Sequence, residues 1–276
     1  MDTQMTHTAS PVIFGILNIT EDSFSDGGKY LNKESALVKV SELIQEGAHV
    51  IDVGPASSNP ASAPVPPDIQ IARAAGIVSY LKHSNIPVSL DVCEPQVQSW
   101  AIDQNADYIN DIEGFKNPEI LEKLQGKKTK LIVMHSVQQS SRADKRHVDA
   151  QQILELTKSF FYSRLETLHK YNIGPERIIL DPGMGFFLGS NALNSVNIIK
   201  NIKNLKEEFP FAFLISVSRK SFLGEITGRA VNRRDLATLA AEIFCVFEQN
   251  ADMIRTHNPG ALKDGILIWN SFLSGK

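Results

Sequence analysis

Short runs rich in Val, Ile and Leu recur along the chain, at 12–17, 50–53, 88–92, 108–112, 130–134, 177–180, 212–217 and 253–254. Each has the length of a buried strand, and most are followed by a stretch of helical length whose apolar positions fall three to four apart. That alternation predicts parallel β/α units. Eight such units in 276 residues match a (β/α)8 TIM barrel, an α/β fold. A doubly wound open sheet would show fewer strands and a Gly-rich first turn, and G-x-G-x-x-G is absent. The interval 113–126 leaves room for only one short helix. No linker divides the chain, so 1–276 reads as a single domain with 1–11 as a flexible N-terminal tail. Two loops stand out: 20–32, polar and carrying Gly27-Gly28, and 55–67, whose Pro55, Pro60, Pro64, Pro66 and Pro67 forbid a continuous helix.

Composition narrows the function. With 42% apolar and 21% charged residues the chain can bury one large core. Lys and Arg number 28 against 31 Asp and Glu, a net charge of −3, so there is no broad basic face for nucleic acid and any anion must be met locally. The longest mostly apolar run, 209–217, contains Pro210 and falls well short of the roughly twenty residues of a membrane span. The first ten residues carry neither a basic start nor an apolar stretch, so a cytoplasmic protein is expected. Cys93 and Cys245 are far apart, which fits reduced thiols and excludes a cysteine zinc site.

The active-site face of a TIM barrel lies at the strand C-termini, so the polar residues at which the apolar runs stop are the candidates. They are Asn18, Asp91, Asn110 with Asp111, His135, Asp181, Ser218-Arg219-Lys220 and Arg255-Thr256-His257. Each alone has a bland reading: Asp181-Pro182-Gly183 as a turn, Arg255 and His257 as a surface ion pair with a helix carboxylate, Lys220 as a solvated lysine. Together on one rim they sort into two chemistries. Asp91, Asn110 and Asp181 offer carboxylate and amide groups to a flat heterocycle with adjacent N–H donors, purine- or pterin-like. Arg255, His257 and Asn18 would be neighbours where a barrel closes, near the last loops that often hold phosphate, and suggest a phosphate or pyrophosphate pocket. Lys220 would sit between the two. His135 has no second His or Cys at ligand spacing and reads as a packed rim histidine, and Cys93 has no nearby histidine to activate it and reads as a packed thiol.

The segment Gly15-Ile16-Leu17-Asn18-Ile19-Thr20-Glu21-Asp22-Ser23-Phe24-Ser25-Asp26-Gly27-Gly28 resembles the first signature of the dihydropteroate synthases, N-x-T-x-D-S-F-x-D-G-G after an apolar strand. Glu46-Gly47-Ala48 through Ile51-Asp52-Val53-Gly54-Pro55 to Pro60 resembles the second. Asn110-Asp111-Ile112, Asp181-Pro182-Gly183-x-Gly185-Phe186, Ser218-Arg219-Lys220-Ser221 and Arg255-Thr256-His257 follow in the family's order. The resemblance implies a TIM barrel that joins 6-hydroxymethyl-7,8-dihydropterin diphosphate to 4-aminobenzoate and releases pyrophosphate with Mg²⁺, in folate biosynthesis, usually as a homodimer. Carried over by position, it implies that Asp91, Asn110, Asp181 and Lys220 hold the pterin. Asn18, Arg255 and His257 would hold the diphosphate, with Asn18 also near Mg²⁺. Phe24, Ser57, Ser58, Pro60, Phe186 and Ser221 would shape the aminobenzoate pocket.

Two departures from the family pattern matter. Where the second loop commonly reads G-G-E-S-T-R-P-G, this chain has Gly54-Pro55-Ala56-Ser57-Ser58-Asn59-Pro60-Ala61, so the usual arginine is Asn59. Where the sixth loop commonly reads G-F-G-K, it has Gly185-Phe186-Phe187-Leu188-Gly189-Ser190, which loses a lysine and adds apolar bulk. Both changes resemble the plasmid-borne, sulfonamide-insensitive branch, and Phe187 or its neighbour is expected to border the aminobenzoate and narrow the room for a sulfonyl group while admitting the smaller carboxylate. Loop drift in a drug-sensitive housekeeping enzyme is the plain alternative. A methyltetrahydrofolate-binding corrinoid methyltransferase is the nearest rival class, and the residues that would grip a leaving diphosphate argue against it.

Overall fold

A computed structural model of the chain describes residues 10–20, 33–57, 62–138 and 147–274. Eight parallel strands close into a barrel in chain order: β1 (Val12–Asn18), β2 (Val50–Gly54), β3 (Val88–Asp91), β4 (Tyr108–Asp111), β5 (Lys130–Met134), β6 (Ile178–Asp181), β7 (Ala212–Ile215) and β8 (Met253–Thr256). Pairing of β1 with β8 closes it, with Phe14 opposite Arg255 and Gly15 opposite Thr256. The surrounding helices are α1 (Lys33–Gln45), α2 (Pro67–His83), α3 (Pro95–Asp103), α4 (Pro118–Leu124), α5 (Ile153–Lys170), α6 (Ala192–Lys200), α7 (Ile202–Glu208), α8 (Ser221–Thr227), α9 (Asp235–Phe247) and α10 (Pro259–Ser274). The fold is the expected TIM barrel. Two units carry a pair of helices where the sequence pattern suggested one, α6 with α7 and α8 with α9. The eighth strand runs past the apolar 253–254 to Thr256, because Arg255 and Thr256 pair with β1 and are buried. Pro11, read with the flexible tail, is buried.

Local chemistry explains where the elements start and stop. Helices α2, α3, α4 and α10 each begin on a proline, whose missing N–H has no partner to lose in a first turn. Asn117 caps α4, its side-chain oxygen accepting the N–H groups of Glu119 (2.8 Å) and Ile120 (3.3 Å). At the opposite ends, Asn85, Asn105 and Asn172 take left-handed backbone. Each lets the chain reverse while its neighbours bind back to the helix: Ile86 N–H to Leu81 O, Ala106 N–H to Ala101 O and Ile173 N–H to Leu168 O.

Side chains alternate along each strand, and the barrel divides them. Ile13, Leu17, Ile51, Val53, Leu90, Ile109, Val133 and Leu180 face outward and join the helices in the main core. Phe14, Val50, Ile132, Ile179, Leu214 and Met253 point inward and plug the lower barrel. One buried acid lies between barrel and helices: Glu242 of α9, 1% exposed, with Oε1 unpaired. Burial pushes its carboxyl up to about 8, although a hydrogen bond from Thr256 favours the charged form. An unfolded glutamate releases its proton near 4.5, so between that pH and about 8 the folded chain holds a proton the unfolded chain has lost, and stability falls as pH rises. Glu242→Gln is therefore expected to flatten the decline in melting temperature from pH 5 to pH 8.5, at roughly 2–4 °C per kcal/mol recovered. Parallel thermal melts of parent and variant across that range check it.

Candidate active site at the barrel mouth

The inward positions change character one step above the apolar plug. Continuing in phase from Val50, Ile179 and Met253, the next inward residues are Asp52, Asp181 and Arg255, and β3 and β4 contribute Asp91 and Asn110 from the same side. Asn110 and Asp111 therefore part company. Asn110 faces the barrel, whereas the Asp111 carboxylate is turned away to accept the N–H groups of Glu113 (2.8 Å) and Phe115 (2.7 Å).

Arg255 organises the mouth. Its Nε donates to Asp52 Oδ2 at 2.6 Å and its Nη2 to Asp91 Oδ2 at 2.7 Å. Burial works against its charge, and the facing Asp52 and Asp91 carboxylates outweigh that and hold its pKa above the usual arginine range. The bland reading of Arg255, a surface pair with a helix carboxylate, does not hold. Asp181 is 1% exposed and accepts the Gly183 N–H at 2.8 Å. Burial pushes its carboxyl up to about 6, against the Gly183 hydrogen bond and the nearby Lys220 and Arg255 charges. Lys220 Nζ lies 4.8 Å from the centre of the Phe187 ring. Burial and Arg255 bring its pKa down to about 8, with Asp181 and Asp91 opposing. Two acceptor atoms in this layer, Asp52 Oδ1 and Asn110 Oδ1, are buried with no partner, as are the hydroxyls of Ser89 and Ser216. Buried acceptors left open in a folded protein point to a donor-bearing ligand.

His257 follows β8. Its backbone N–H donates to Ser218 Oγ at 3.2 Å, and its Nδ1 stands 2.8 Å from the same oxygen. Burial and the Arg219, Arg255 and Lys220 charges hold its pKa well below the histidine range. The ring is therefore neutral, and a Ser218 hydroxyl proton given to Nδ1 leaves Nε2–H as its donor. Asn18 ends β1 with its Oδ1 beside Gly54, 3.0 Å from where a Cβ would stand. His135 is buried, with Nδ1 near Pro182 O (3.2 Å) and Thr157 Oγ1 (3.1 Å), and burial lowers its pKa to about 4, as befits a packed neutral ring.

The sixth loop is ordered by its backbone. Gln138 Nε2 donates to Phe186 O (2.6 Å), Val137 N–H to Phe187 O (2.9 Å) and Asn194 Nδ2 to Leu188 O (2.6 Å). Gly183 and Gly185 take left-handed backbone, and a Cβ on either would collide, with His135 O or with Ser221 Oγ. Phe187 packs with Ile112 and Met134, with Phe186 and Cys93 at the edge of that cluster. Beside it a cleft of about 100 Å³ is lined by Ala56, Ser57, Pro64, Asp91, Cys93 and Ile112. Phe24, Ser58 and Pro60, with Asn59, lie outside the described residues.

Asp52 is the residue that sequence reasoning missed. It sits inside an apolar run, and only the two-residue phase shared with Val50 would have turned it inward.

A barrel with buried acceptors and cations on one rim is the architecture of a small-molecule enzyme, and comparison with known proteins specifies which kind. The sequence profile of the pterin-binding enzymes matches residues 14–257. Dihydropteroate synthase type-2 from Escherichia coli is 46% identical over 259 residues, covering 94% of this chain and 95% of that protein. The crystal structure of the Yersinia pestis dihydropteroate synthase with a sulfonamide drug complex superposes with a TM-score of 0.86 at 26% identity, covering 98% of this chain and 97% of that one. The Anaplasma phagocytophilum dihydropteroate synthase with bound 6-hydroxymethylpterin-monophosphate gives 0.82 at 32% identity, covering 96% of this chain and 100% of that one. The chain belongs to the pterin-binding enzymes and, within them, to the dihydropteroate synthase family.

Removing one partner of a buried ion pair strands the other charge. Asp52→Asn is accordingly expected to cost about 3 kcal/mol in urea unfolding, whereas Lys82→Met, which breaks the half-exposed Lys82–Asp107 pair, costs under about 1 kcal/mol.

Proposed function

We propose that this chain condenses 6-hydroxymethyl-7,8-dihydropterin diphosphate with 4-aminobenzoate, giving 7,8-dihydropteroate and pyrophosphate. The observation that carries the reading is the set of buried acceptors around Arg255 and Lys220, with Asp52 Oδ1 and Asn110 Oδ1 open. In this reading Asp91, Asn110 and Asp181 accept the N–H groups of the pterin edge, and Lys220 donates to the ring. Arg255, the neutral His257 through Nε2–H, and Asn18 meet the diphosphate. Ser57, Phe186, Phe187 and Ser221, with Phe24, Ser58 and Pro60, border the aminobenzoate.

The amine nitrogen forms a bond to the pterin methylene, the carbon–oxygen bond to diphosphate breaks, and the amine then sheds a proton. An aromatic amine is neutral and nucleophilic near pH 7, so no strong base is needed. Negative charge grows on the leaving oxygens, where Arg255 and His257 donate, and positive charge on the methylene, which the carboxylates favour. Among the described residues no group of three or more His, Cys, Asp or Glu side chains forms a metal cage. Asn18 Oδ1 nonetheless suits Mg²⁺, which takes few protein oxygens and completes its shell with substrate phosphate and water. When bound, that ion would neutralise part of the diphosphate charge.

Two finer readings follow from the same residues. Phe187, buried at the mouth beneath Lys220, supports a sulfonamide-insensitive enzyme. Exposed Leu236, Phe244, Ile268 and Phe272 on α9 and α10 support assembly as a homodimer. Among the described residues no helix is long and apolar enough to cross a membrane.

Pyrophosphate release from the two substrates with Mg²⁺ tests the reaction. The kcat/KM profile should rise as Asp181 deprotonates near 6 and fall as Lys220 loses its proton near 8. Lys220→Arg should abolish the falling limb, since a guanidinium stays charged. Asp181→Asn should chiefly weaken pterin binding and Arg255→Ala chiefly lower kcat. Equal indifference to both would sink the assignment. Release should persist under a sulfonamide that stops a sensitive relative, and deleting Phe187-Leu188 should restore inhibition; unchanged inhibition would contradict the role given to Phe187.

A further inference from the structure

Lys220 owes its direction to the backbone before it. Three consecutive side chains diverge: Ser218 meets His257, Arg219 turns to Asp235 (Nε to Oδ1, 2.8 Å), and Lys220 reaches over Phe187. The divergence requires Arg219 to adopt left-handed backbone, φ 56°, a region unfavourable for a residue with a Cβ. Such a conformation persists only where the surroundings enforce it.

The enforcing groups come from the start of α9 and the turn before it. Arg234 Nη1 donates to both Arg219 O (3.0 Å) and Lys220 O (3.2 Å), and its Nε donates to Arg229 O (3.0 Å). Thr238 Oγ1 accepts the Arg219 N–H at 3.0 Å. Helix α8 is cut away to admit the guanidinium: a Cβ at Gly224 would collide with Arg234. Arg234 has no part in the reaction described above, yet its Nη1 bridges two successive carbonyls while Nε anchors the same rigid guanidinium to Arg229 O, so the plane of the group is fixed at both ends.

We propose that Arg234 is a positioning residue, which holds Arg219 left-handed through the carbonyls of Arg219 and Lys220 and thereby aims Lys220 Nζ into the barrel mouth. The proposal rests on the reading of Lys220 as a substrate-binding group.

Arg234→Met is expected to lower kcat/KM for pterin diphosphate of the order of tenfold to a hundredfold, as a misplacement near 1 Å does. A better-hydrated Lys220 should also move the falling pH limb upward from about 8, a shift that simple destabilisation would not produce. Glycine takes left-handed backbone at no steric cost, so adding Arg219→Gly should restore most of the lost kcat/KM. Arg234→Lys, whose ammonium keeps donors for the two carbonyls but loses the Nε anchor to Arg229 O, should fall between, and it carries the same measurements if Arg234→Met fails to fold. The proposal is overturned if Arg234→Met stays within about twofold of the parent while Lys220→Met is crippled, or if Arg219→Gly brings no recovery. If Lys220→Met itself is fully active, the reading of Lys220 falls, and that failure is separate from any failure of the clamp.

Discussion

The mouth of this barrel depends on keeping a guanidinium charged inside protein. Arg255 lies on β8 with its side chain directed inward, and it is tolerable there only because Asp52 of β2 and Asp91 of β3 each give it a short, charge-assisted bond. That requirement sets the layer around it. Asp52, Asp91 and Asp181 face Arg255 and Lys220, so the carboxylates outnumber the cations, and not every acceptor can be met from within. A ligand with a donor-rich edge answers that shortfall on the open acceptors Asp52 Oδ1 and Asn110 Oδ1.

The same electrostatics keeps His257 neutral. Its burial and the nearby Arg219, Arg255, Lys220 and Lys39 charges mean that a further positive charge would be poorly solvated and repelled. In the proposed reading the ring then offers the diphosphate a neutral N–H, with no second cation competing with Lys220 for the carboxylates. Phe187 supplies the complementary device on the other side. Its ring gives the Lys220 ammonium a weak partner that a substrate can displace, where a carboxylate so close would hold it fast. In the proposed reading, the bulk beside the aminobenzoate is thus also the surface on which the Lys220 ammonium rests.

The barrel was legible in the sequence because each strand buries both faces and so leaves an uninterrupted apolar run, with a helix-length stretch to follow. The rule failed at β8, where Arg255 and Thr256 continue the strand as polar residues, paired to β1 and satisfied at the mouth and by Glu242. It failed again at Asp52, hidden inside a run. In both places the two-residue phase carried the signal and hydropathy concealed it. The rim residues Asp91, Asn110, Asp181, Lys220, Arg255 and His257 were visible as run endings, but endings do not report direction. Only register separates Asn110, which faces the cavity, from Asp111, which ties down its own loop. Contacts between distant loops, such as Arg234 with the carbonyls of Arg219 and Lys220, have no local signature at all.

These features together fit a reaction that, as proposed, requires no strong general base. The difficult event is separation of a diphosphate from a carbon that becomes electron-poor, and both developing charges need fixed partners of opposite sign a few ångströms apart. A rigid barrel can hold such a pair of environments because β3, β4 and β6 bring the acceptors while β7 and β8 bring the cations. Within that barrel Arg255 is already partly neutralised, by its bonds to Asp52 and Asp91. In the reading proposed above, the remaining donor capacity at the diphosphate end comes from His257 and Asn18, and the loop geometry around Lys220 serves the pterin side.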